Sequence, residues 1–441
     1  MPSREGKDIT LALTGDSLIT RRLIPYAEPN YTRMLDRIRS ADASFTNLEG
    51  LLTHFEGYPA AQSGGTYVVG PPELADDLLW AGFNLFARAN NHSLDWSFGG
   101  LLATDRELDA RGMVHSGVGL NLALARSPAY LDTPAGRVAL VSTSATFPAG
   151  GQAGKQRVDL PGRPGLNPLR FKVRYEVPAT ELENLREMSE SLGLEATKRR
   201  MAAMRGRPVE SNFTLGPLEF VPSPDGTHRV VTEPDAADLD GNLRALEEAR
   251  RQADWVIFSV HSHEPGPDDP RSPAEFFKTA ARRAVEAGAD AVVGHGPHHM
   301  RGIEIHRDRP IFYSLGNFIF QNETVQWLPQ DFYDNYGLTV EDTPDRAYDR
   351  RTSEDSHGFP AHPMYWQAMM AEVRFEDRRL AGIDLLPVSL GYGKRRTLRG
   401  RPVLAEGEEF DAIVSDMRER SAPFGVDLGE LTPDGVRVCL D

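Results

Sequence analysis

Residues 9–16 read ITLALTGD, a short apolar run that ends at a glycine followed by a carboxylate. Similar apolar runs recur along the chain, and most of them also end at a polar cluster. Short apolar runs separated by amphipathic stretches are typical of strands that alternate with helices in an α/β layer fold. The pattern predicts strands over residues 9–14, 43–47, 83–89, 138–142, 255–260 and 291–294.

The stretches between these runs carry helix signals at their ends, with proline near the start or glycine just after the end. These signals predict helices over residues 71–82, 99–111 and 273–287. A charged stretch predicts one long helix over residues 179–204. Near the C-terminal end, residues 364–389 are expected to form two strands, followed by a helix over residues 408–420.

The composition narrows the function. The chain has 441 residues, of which 40% are hydrophobic and 26% charged, an ordinary globular composition. Its 49 basic and 64 acidic residues give a net charge of −15, which argues against a nucleic-acid partner and against an anionic membrane surface. The single cysteine, Cys439, can form neither an intramolecular disulfide nor a cysteine-based metal site. Any bound metal therefore needs His, Asp, Glu or Asn ligands.

The N-terminal sequence bears on the compartment. Residues 1–8 are polar, and the apolar run over residues 9–13 is too short for a signal peptide or a membrane-spanning helix. We therefore expect a cytoplasmic protein with no membrane segment.

Two long segments, residues 150–234 and residues 321–363, interrupt the alternation. We interpret both as insertions into a single domain over residues 1–441, which ends in the strands and helix of residues 364–441. Long irregular excursions in compact domains are often lids or binding loops, so we expect both segments over the site. The alternative is that they pack away from the chemistry.

Polar side chains follow the predicted strands, where open α/β folds collect their ligands. Divalent cations bind carboxylate, imidazole and amide oxygen ligands, and a two-metal hydrolase needs a carboxylate that bridges the ions. A glycine–aspartate pair after a strand is often only a turn, and a lone histidine is often structural, so the shared placement carries this prediction. The candidate residues are Asp16, Glu49, Asn91, His92, Asp95, His261, His263, His295 and His298.

The motifs around these residues follow one another in a characteristic order, which is Thr-Gly-Asp16, Asn-Leu-Glu49-Gly, Ala-Asn-Asn91-His92-Ser-Leu-Asp95, His261, Val-Val-Gly-His295-Gly-Pro-His298 and Ser-Leu-Gly-Asn317. Over residues 8–148 and 240–320 the chain resembles the CapA family, named for poly-γ-glutamate capsule synthesis. That family is similar in turn to the calcineurin-like metallophosphoesterases. The resemblance implies a four-layer α/β/β/α sandwich with two insertions and a dinuclear metal site at the strand ends.

The resemblance also implies roles for the carboxylates and for the amide. Asp16 would bind one metal, Glu49 would occupy the position that bridges the two metals, and Asn91 would bind the second metal. The implied cofactors are two divalent ions, and Mn, Fe or Zn would suit a mixed nitrogen and oxygen ligand set.

The histidines receive roles in the same way. His261 would ligate the second metal, while His295 and His298 would divide between the two metals. His92 would protonate the leaving group without ligating a metal, and Asp95 would orient His92.

The sequence departs from the wider superfamily at one ligand. The superfamily has a histidine two residues after the first aspartate, but this chain has Leu18 there. His263 is a candidate replacement, because His261 and His263 point to the same face of a strand. The alternative is that His263 faces solvent beyond the strand end. Asn317 could position substrate or support a ligand, or it could be a buried turn amide.

Other polar residues are assigned to the surface. His54 and His299 are expected there without a function. A further set of arginines could recognise a carboxylate or a phosphate through two hydrogen bonds, but a solvated face is the simpler interpretation. These are Arg301, Arg346, Arg350 and Arg351.

Two functions from different classes remain open. The first is a metal-dependent hydrolase that activates water against a phosphoester or an amide or γ-glutamyl bond, in a small molecule or a poly-γ-glutamate-like substrate. The second is a non-catalytic accessory protein that binds the polymer during capsule synthesis, which a net charge of −15 disfavours unless a local basic patch exists. The sequence does not determine the oligomeric state.

Overall fold

The computed structural model of the protein describes residues 8–208 and 212–440. Its strands, in chain order, are β1 (Ile9–Leu18), β2 (Ala43–Leu48), β3 (Leu51–Leu52), β4 (Val69–Gly70), β5 (Leu85–Ala87), β6 (Val114–Ser116), β7 (Val118–Gly119), β8 (Ala129–Thr133), β9 (Gly136–Ser144), β10 (Gly165–Leu166), β11 (Phe171–Val177), β12 (Phe213–Leu215), β13 (Leu218–Pro222), β14 (Arg229–Pro234), β15 (Trp255–His261), β16 (Ala291–His295), β17 (Met300–His306), β18 (Arg309–Leu315), β19 (Asn317–Phe320), β20 (Gln367–Glu376), β21 (Arg379–Ser389), β22 (Val403–Leu404), β23 (Leu428–Leu431) and β24 (Val436–Val438).

Helices connect and cover these strands. In chain order they are α1 (Pro29–Ser40), α2 (Leu74–Ala81), α3 (Ser97–Ala110), α4 (Leu122–Arg126), α5 (Ala179–Ser191), α6 (Leu194–Met204), α7 (Ala236–Gln252), α8 (Glu275–Glu286), α9 (Gln330–Asp334), α10 (Pro344–Thr352) and α11 (Gly407–Ser421). Short 3-10 turns cover Phe359–Ala361, Pro363–Trp366 and Ala422–Phe424.

Two large sheets form the body of the protein. The first has the strand order β23-β24-β21-β20-β1-β2-β5-β6, with β19 paired to β1 and β22 paired to β21. The second has the order β17-β18-β16-β15-β9-β8. Strands β1, β2, β5 and β6 run parallel in the first sheet, and β9, β15, β16 and β18 run parallel in the second. A sheet of parallel strands needs both of its faces covered. Here each sheet packs against the other on one face and against helices on its other face.

Alternate residues of one strand face opposite layers, as the two-residue period of a strand requires. Leu11 and Leu13 of β1 enter the core between the two sheets, whereas Ala12 faces α1 and α2. Ile257 of β15 enters the core between the sheets, and Phe258 faces α7 and α8. The architecture is therefore the expected four-layer α/β/β/α sandwich. Each fully buried leucine or phenylalanine contributes about 1.5–3 kcal/mol to its stability.

The predicted elements are largely present. All the predicted strands appear, as β1, β2, β5, β9, β15 and β16, and the three helices predicted from their ends appear as α2, α3 and α8. The C-terminal strands and helix appear as β20, β21 and α11. The single helix predicted over residues 179–204 is wrong. Gly193, with a left-handed φ of 72°, separates α5 from α6, because a left-handed residue ends a helix.

The parallel register brings the ends of several strands to one place. Asp16 near the end of β1 lies opposite Asn47 on β2 and Asn317 on β19. His261 at the end of β15 lies opposite His295 at the end of β16. Gly15 allows the close approach, since a Cβ atom there would lie 1.8 Å from the carbonyl oxygen of Gly316.

The two irregular segments occupy different places. In the segment 150–234, strands β11 to β14 form a small separate sheet. Phe171 stacks on Phe276 of α8 with ring centroids 4.3 Å apart, so this sheet packs against an outer helix layer. In the segment 321–363, Tyr348 joins a buried cluster with Tyr67 and Trp96, next to the site. The boundaries of the two insertions, and the expectation that both cover the site, stay predictions.

Among the residues that the structure describes, no helix combines the length and the apolar character needed to cross a bilayer.

Candidate metal centre

A first group of ligands lies at the ends of three central strands, and we call it the inner group: Asp16, His261 and His295. Their ligand atoms all lie within 4.8 Å of one another, and the three residues are fully buried. His295 Nδ1 lies 3.6 Å from Asp16 Oδ1 and 3.0 Å from His261 Nδ1. One carboxylate and two imidazoles at this spacing suit a borderline divalent cation.

Neighbouring groups hold the inner group in place. Asp16 Oδ1 accepts a hydrogen bond of 2.8 Å from Asn47 Nδ2, and Asp16 Oδ2 accepts one of 2.9 Å from the backbone N–H of Gly296. His295 Nε2 lies 2.7 Å from Ser259 Oγ, so Nδ1 remains directed at the carboxylate. Such hydrogen bonds behind a ligand fix its orientation and its tautomer.

A second group lies beyond the strand ends, and we call it the outer group: Glu49, His263 and His298. Their ligand atoms also lie within 4.8 Å of one another. Glu49 is fully buried, and neither carboxylate oxygen has a hydrogen-bond partner within the described part of the chain. An ionised carboxylate buried without partners is costly, and a bound cation would remove that cost.

The two groups touch each other. His298 Nδ1 lies 3.8 Å from Asp16 Oδ2, and His298 Nε2 lies 3.8 Å from Glu49 Oε1. His261 Nε2 lies 3.0 Å from His263 Nε2. The two groups therefore form one continuous cluster of candidate metal ligands.

Burial sets the protonation of this cluster. Burial, followed by the nearby carboxylate of Asp16, raises the pKa of Glu49 well above its ordinary value. Burial also lowers the pKa of His295 to about 4 and lowers the pKa values of His261, His263 and His298. Neutral imidazole is the form that ligates a metal, so these histidines are prepared for that role.

The loop after β5 brings three further candidates to the cluster. The buried Oδ1 atom of Asn91 has no hydrogen-bond partner in the residues described, as a ligand atom would. His92 Nδ1 lies 2.6 Å from Asp95 Oδ2, and His92 Nε2 lies 3.8 Å from Glu49 Oε1. Asp95 is itself held by the backbone N–H of Val68 at 2.7 Å. His92 is therefore oriented towards the cluster by a fixed carboxylate.

The histidines group as follows. His261 Nδ1 lies 4.0 Å from Asp16 Oδ1, whereas its Nε2 lies 3.0 Å from His263 Nε2, so its assignment to the second metal stays a prediction. His263 lies with Glu49 and His298, and its part as a replacement ligand for the metal at Asp16 also stays a prediction. Leu18, which stands in place of the superfamily histidine, is buried beside a small cavity that opens at the outer group.

His298 occupies a turn between β16 and β17. Its φ of 63° is uncommon for a residue other than glycine, and such strain is frequent at functional sites. Asn317 Oδ1 lies 2.9 Å from His298 Nδ1, and Asn317 Nδ2 donates to the carbonyl oxygens of His298 and Tyr365. Asn317 therefore contacts both the ring and the turn of His298, an arrangement that fits a residue supporting a ligand and also a buried turn amide, and its role stays a prediction.

Sequence reasoning missed the residues that support His263. Arg301 donates to the carbonyl oxygen of His263 at 3.0 Å, and Thr146 Oγ1 accepts the His263 backbone N–H at 2.9 Å. Arg301 is only 1% exposed, so its assignment to a solvated face is wrong. The assignment of His299 to the surface is also wrong, since His299 is buried and borders the cavity, whereas His54 is exposed as expected. An arginine on an apolar strand pattern was the available signal.

A cavity of about 250 Å³ opens beside the outer group. His92, His263 and His298 line one side of it, and Asn322 and Arg351 of the segment 321–363 also line it. Its volume is below the roughly 300–1,000 Å³ of pockets for drug-sized ligands. The cavity therefore fits a small group of a substrate next to the cluster.

A larger groove, of about 1,060 Å³, lies elsewhere. It is lined by Asp290, which precedes β16, and by Arg309, which begins β18. These residues lie at the amino ends of strands whose carboxyl ends carry the cluster. The smaller cavity is the relevant one for chemistry, because the ligands border it.

Comparison with known proteins identifies the family of this chain. The family model of the bacterial capsule synthesis protein PGA_cap matches residues 10–322, a range that includes both ligand groups. The chain belongs to the PGA_cap family. The four-layer fold is the metallophosphoesterase-like fold of that family.

Relatives in this family extend over different shares of the chain. Uncharacterized protein y4sH of Sinorhizobium fredii (strain NBRC 101917 / NGR234) is 36% identical over 431 residues, which cover 94% of this chain and 90% of that protein. Capsule biosynthesis protein CapA of Bacillus anthracis is 22% identical over 324 residues, 72% of this chain and 61% of that protein. PGA biosynthesis protein CapA of Bacillus subtilis (strain 168) is 38% identical over 84 residues, 19% and 21% of the two chains. The resemblance to CapA is thereby confirmed.

Proposed function

We propose that this protein is a metal-dependent hydrolase that uses two adjacent divalent ions to cleave a phosphoester or an amide or γ-glutamyl bond. The observation that carries the proposal is the carboxylate of Glu49 in the outer group, which is fully buried close to the carboxylate of Asp16 in the inner group and has both oxygens unpartnered among the described residues. A bound cation would favour the ionised form of this carboxyl, and its place next to the inner group suits a carboxylate that bridges two ions.

The ligand groups divide the ions between them. The inner group would hold one ion, and the outer group, with the amide oxygen of Asn91, would hold the other. Mn, Fe or Zn would suit these nitrogen and oxygen ligands. When bound, the ions supply Lewis acidity and activate water.

The protein's own acid is His92. Asp95 accepts the proton of Nδ1 and holds the ring, so Nε2 faces the cluster and would give its proton to the leaving group. In amide cleavage the water oxygen joins the carbonyl carbon and gives up one proton, the C–N bond breaks, and the nitrogen leaves with the proton from His92, which the proton given up by water replaces.

Metal analysis together with a substrate screen tests the proposal. The purified full chain should retain about two ions after dialysis, and it should turn over at least one phosphomonoester, phosphodiester or γ-glutamyl amide. Treatment with a chelator should abolish turnover, and added metal should restore it. A protein that holds no ion in either group would contradict the proposal.

Replacement of the acid separates chemistry from metal binding. His92→Ala should lower turnover by roughly 10²–10⁴-fold, because general acid catalysis contributes that much. The metal content of H92A should equal that of the wild type, as measured by elemental analysis of the same sample. Loss of an ion in H92A would instead make His92 a ligand, and unchanged turnover would remove it from the mechanism.

The second candidate function is an accessory protein that binds an anionic polymer without cleaving it. The names of the two CapA relatives refer to capsule biosynthesis and to PGA biosynthesis. The observation that favours it is the groove of about 1,060 Å³, which five arginines line. Several of them are already paired, for example Arg250 with Asp290 and Arg307 with Glu286. A protein without turnover that binds poly-γ-glutamate in the absence of metal would support this function over the hydrolase.

A further inference from the structure

The cavity beside the outer group contains an arginine without a counter-ion. Arg351 lies at the end of α10 and is half-buried, and its Nη1 atom is enclosed without a hydrogen-bond partner in the described residues. Its guanidinium lies 5.8 Å from the ring centroid of Phe332, and it forms no ion pair within the described ranges 8–208 and 212–440. A partly buried cation in this state is available for an anion from outside the protein.

The neighbouring carboxylates are already taken by other arginines. Arg399 donates to Glu323 and to Asp355, with its shortest contacts at 2.6 Å, and Arg396 pairs with Asp349 at 2.7 Å. These pairs use three carboxylates of the segment 321–363, those of Glu323, Asp349 and Asp355. Arg351 lines the cavity and has no such partner among the described residues.

Two further features favour a bound ligand at this wall. Asn322 is 4% exposed, and its Oδ1 atom has no hydrogen-bond partner in the described part of the chain. Gly64 and Gly65 form a bare backbone turn between the ligands and the arginine. A Cβ atom on Gly64 would lie 2.5 Å from Asn91 Nδ2, and one on Gly65 would lie 3.9 Å from Arg351 Nη2. The arginine and the Asn91 loop therefore flank the same pair of glycines.

We propose that Arg351 forms an anion subsite that binds a carboxylate of the substrate, away from the bond that is cleaved, and that Asn322 Oδ1 accepts a hydrogen bond from a donor of the same ligand. The inference rests on the proposed hydrolase function and names its substrate class. That class is an amide whose acyl part carries a free carboxylate close to the scissile carbonyl, as a γ-linked glutamyl unit does. A phosphomonoester fits less well, because its only anionic group would lie at the metal cluster and leave Arg351 unpaired.

The subsite also limits the part of the substrate that enters. The cavity of about 250 Å³ has space for one small unit, with its carboxylate at Arg351 and its carbonyl at the ligand groups. The guanidinium fork would receive both carboxylate oxygens, which gives geometric selection as well as charge. The rest of the substrate must lie outside the cavity, so cleavage at a chain end is favoured over cleavage within a chain.

The test compares two substrates that differ at one group. Metal-loaded full-length protein is assayed with γ-L-glutamyl-p-nitroanilide and with the analogue whose α-carboxylate is a carboxamide, and p-nitrophenyl phosphate is a third substrate. The kcat/KM ratio of carboxylate to carboxamide should fall by roughly 10–100-fold in Arg351→Gln, the effect expected when a charged hydrogen-bond pair is lost. Arg351→Lys should retain part of the preference. Arg350→Gln, an exposed neighbour on the same helix, should retain all of it.

A binding measurement separates this inference from the proposed function. L-glutamate is titrated into each metal-loaded variant by calorimetry, and thermal unfolding confirms that R351Q and R351K are folded. Weaker glutamate binding in R351Q than in R350Q supports the subsite even if no substrate is turned over, in which case the hydrolase proposal fails and the subsite stands. Turnover without any carboxylate preference, or with R351Q impaired only on the phosphate ester, overturns the subsite and leaves the hydrolase proposal intact.

Discussion

The inner and outer ligand groups are built in different ways. Asp16, His261 and His295 of the inner group are strand residues, fixed by the register of parallel strands and fully buried. In the outer group, Glu49 follows the end of β2, and His263 and His298 lie in turns that border the cavity. The inner ligands are thus fixed by the sheets, whereas the outer ligands depend on loops.

This difference predicts that the two groups bind their ions with different affinities. Ligands on packed strands lose little freedom when an ion binds, so the inner ion should bind more tightly. The outer group has two unpartnered carboxylate oxygens and faces the cavity, so its ion should exchange more readily and contact the substrate. We therefore expect a tight inner site and a weaker outer site.

The largest effect should come from Asp16, because its carboxylate contacts both groups. Its Oδ1 atom faces His295, and its Oδ2 atom lies 3.8 Å from His298 Nδ1. Asp16→Ala should empty the inner site and weaken the outer site, with affinity losses beyond the roughly 10–100-fold caused by removing a residue behind a ligand. Metal content and turnover of the dialysed variant provide the measurement. If D16A retained two ions per chain, the inner group would not be a metal site.

An intermediate effect is expected at His263, which belongs to the outer group alone. His263→Ala should release the outer ion and retain the inner one, so that about half of the wild-type metal remains after dialysis. Competitive titration with a chromogenic chelator measures the two affinities separately. Exposed His54 offers a matched control, since H54A should bind both ions as the wild type does. Unchanged affinity at both sites in H263A would show that His263 is not a ligand.

The sequence was sufficient for the layers of the fold, because two-residue and helical periods report directly on buried faces. It failed at residues 179–204, where Gly193 divides a charged stretch that otherwise resembles one helix. The sequence also did not show that the two irregular segments pack in different places, since irregular composition does not show on which side of a sheet a segment packs. The stacking of Phe171 on Phe276 joins residues more than a hundred positions apart, which no local pattern reveals.

Prediction of the site from the sequence has the same limit, because local patterns do not show which side chains contact each other. That Asp16, His261 and His295 lie together followed from their places at strand ends, because the carboxyl ends of parallel strands share one edge. The partner of each histidine did not follow, since ring orientation depends on hydrogen bonds such as that between Ser259 and His295. Arg301 was assigned to solvent because its charge was given more weight than the apolar strand pattern around it, although the fold places its guanidinium against the carbonyl oxygen of His263.

The smallest effect should come from the residues that orient the ligands, and it tests the two groups against each other. Ser259 holds His295 of the inner group at 2.7 Å, and Asn317 holds His298 of the outer group at 2.9 Å. Ser259→Ala and Asn317→Ala should each weaken metal binding by roughly 10–100-fold, but only at the site of the histidine concerned.

A conservative variant of Asn317 separates its two contacts with His298. Asn317→Asp keeps the acceptor for His298 Nδ1 while it gives up the two bonds donated by the amide, so it should restore much of the outer-site affinity lost in N317A. Failure of N317D to do so would mean that Asn317 acts by holding the turn and not by orienting the ring.

The double variant S259A/N317A measures whether the two groups bind metal independently, because His298 lies within 3.8 Å of both Asp16 and Glu49. Additive losses would show two sites, whereas a large coupling would show that both ions occupy one shared centre and that the distinction between the groups does not hold.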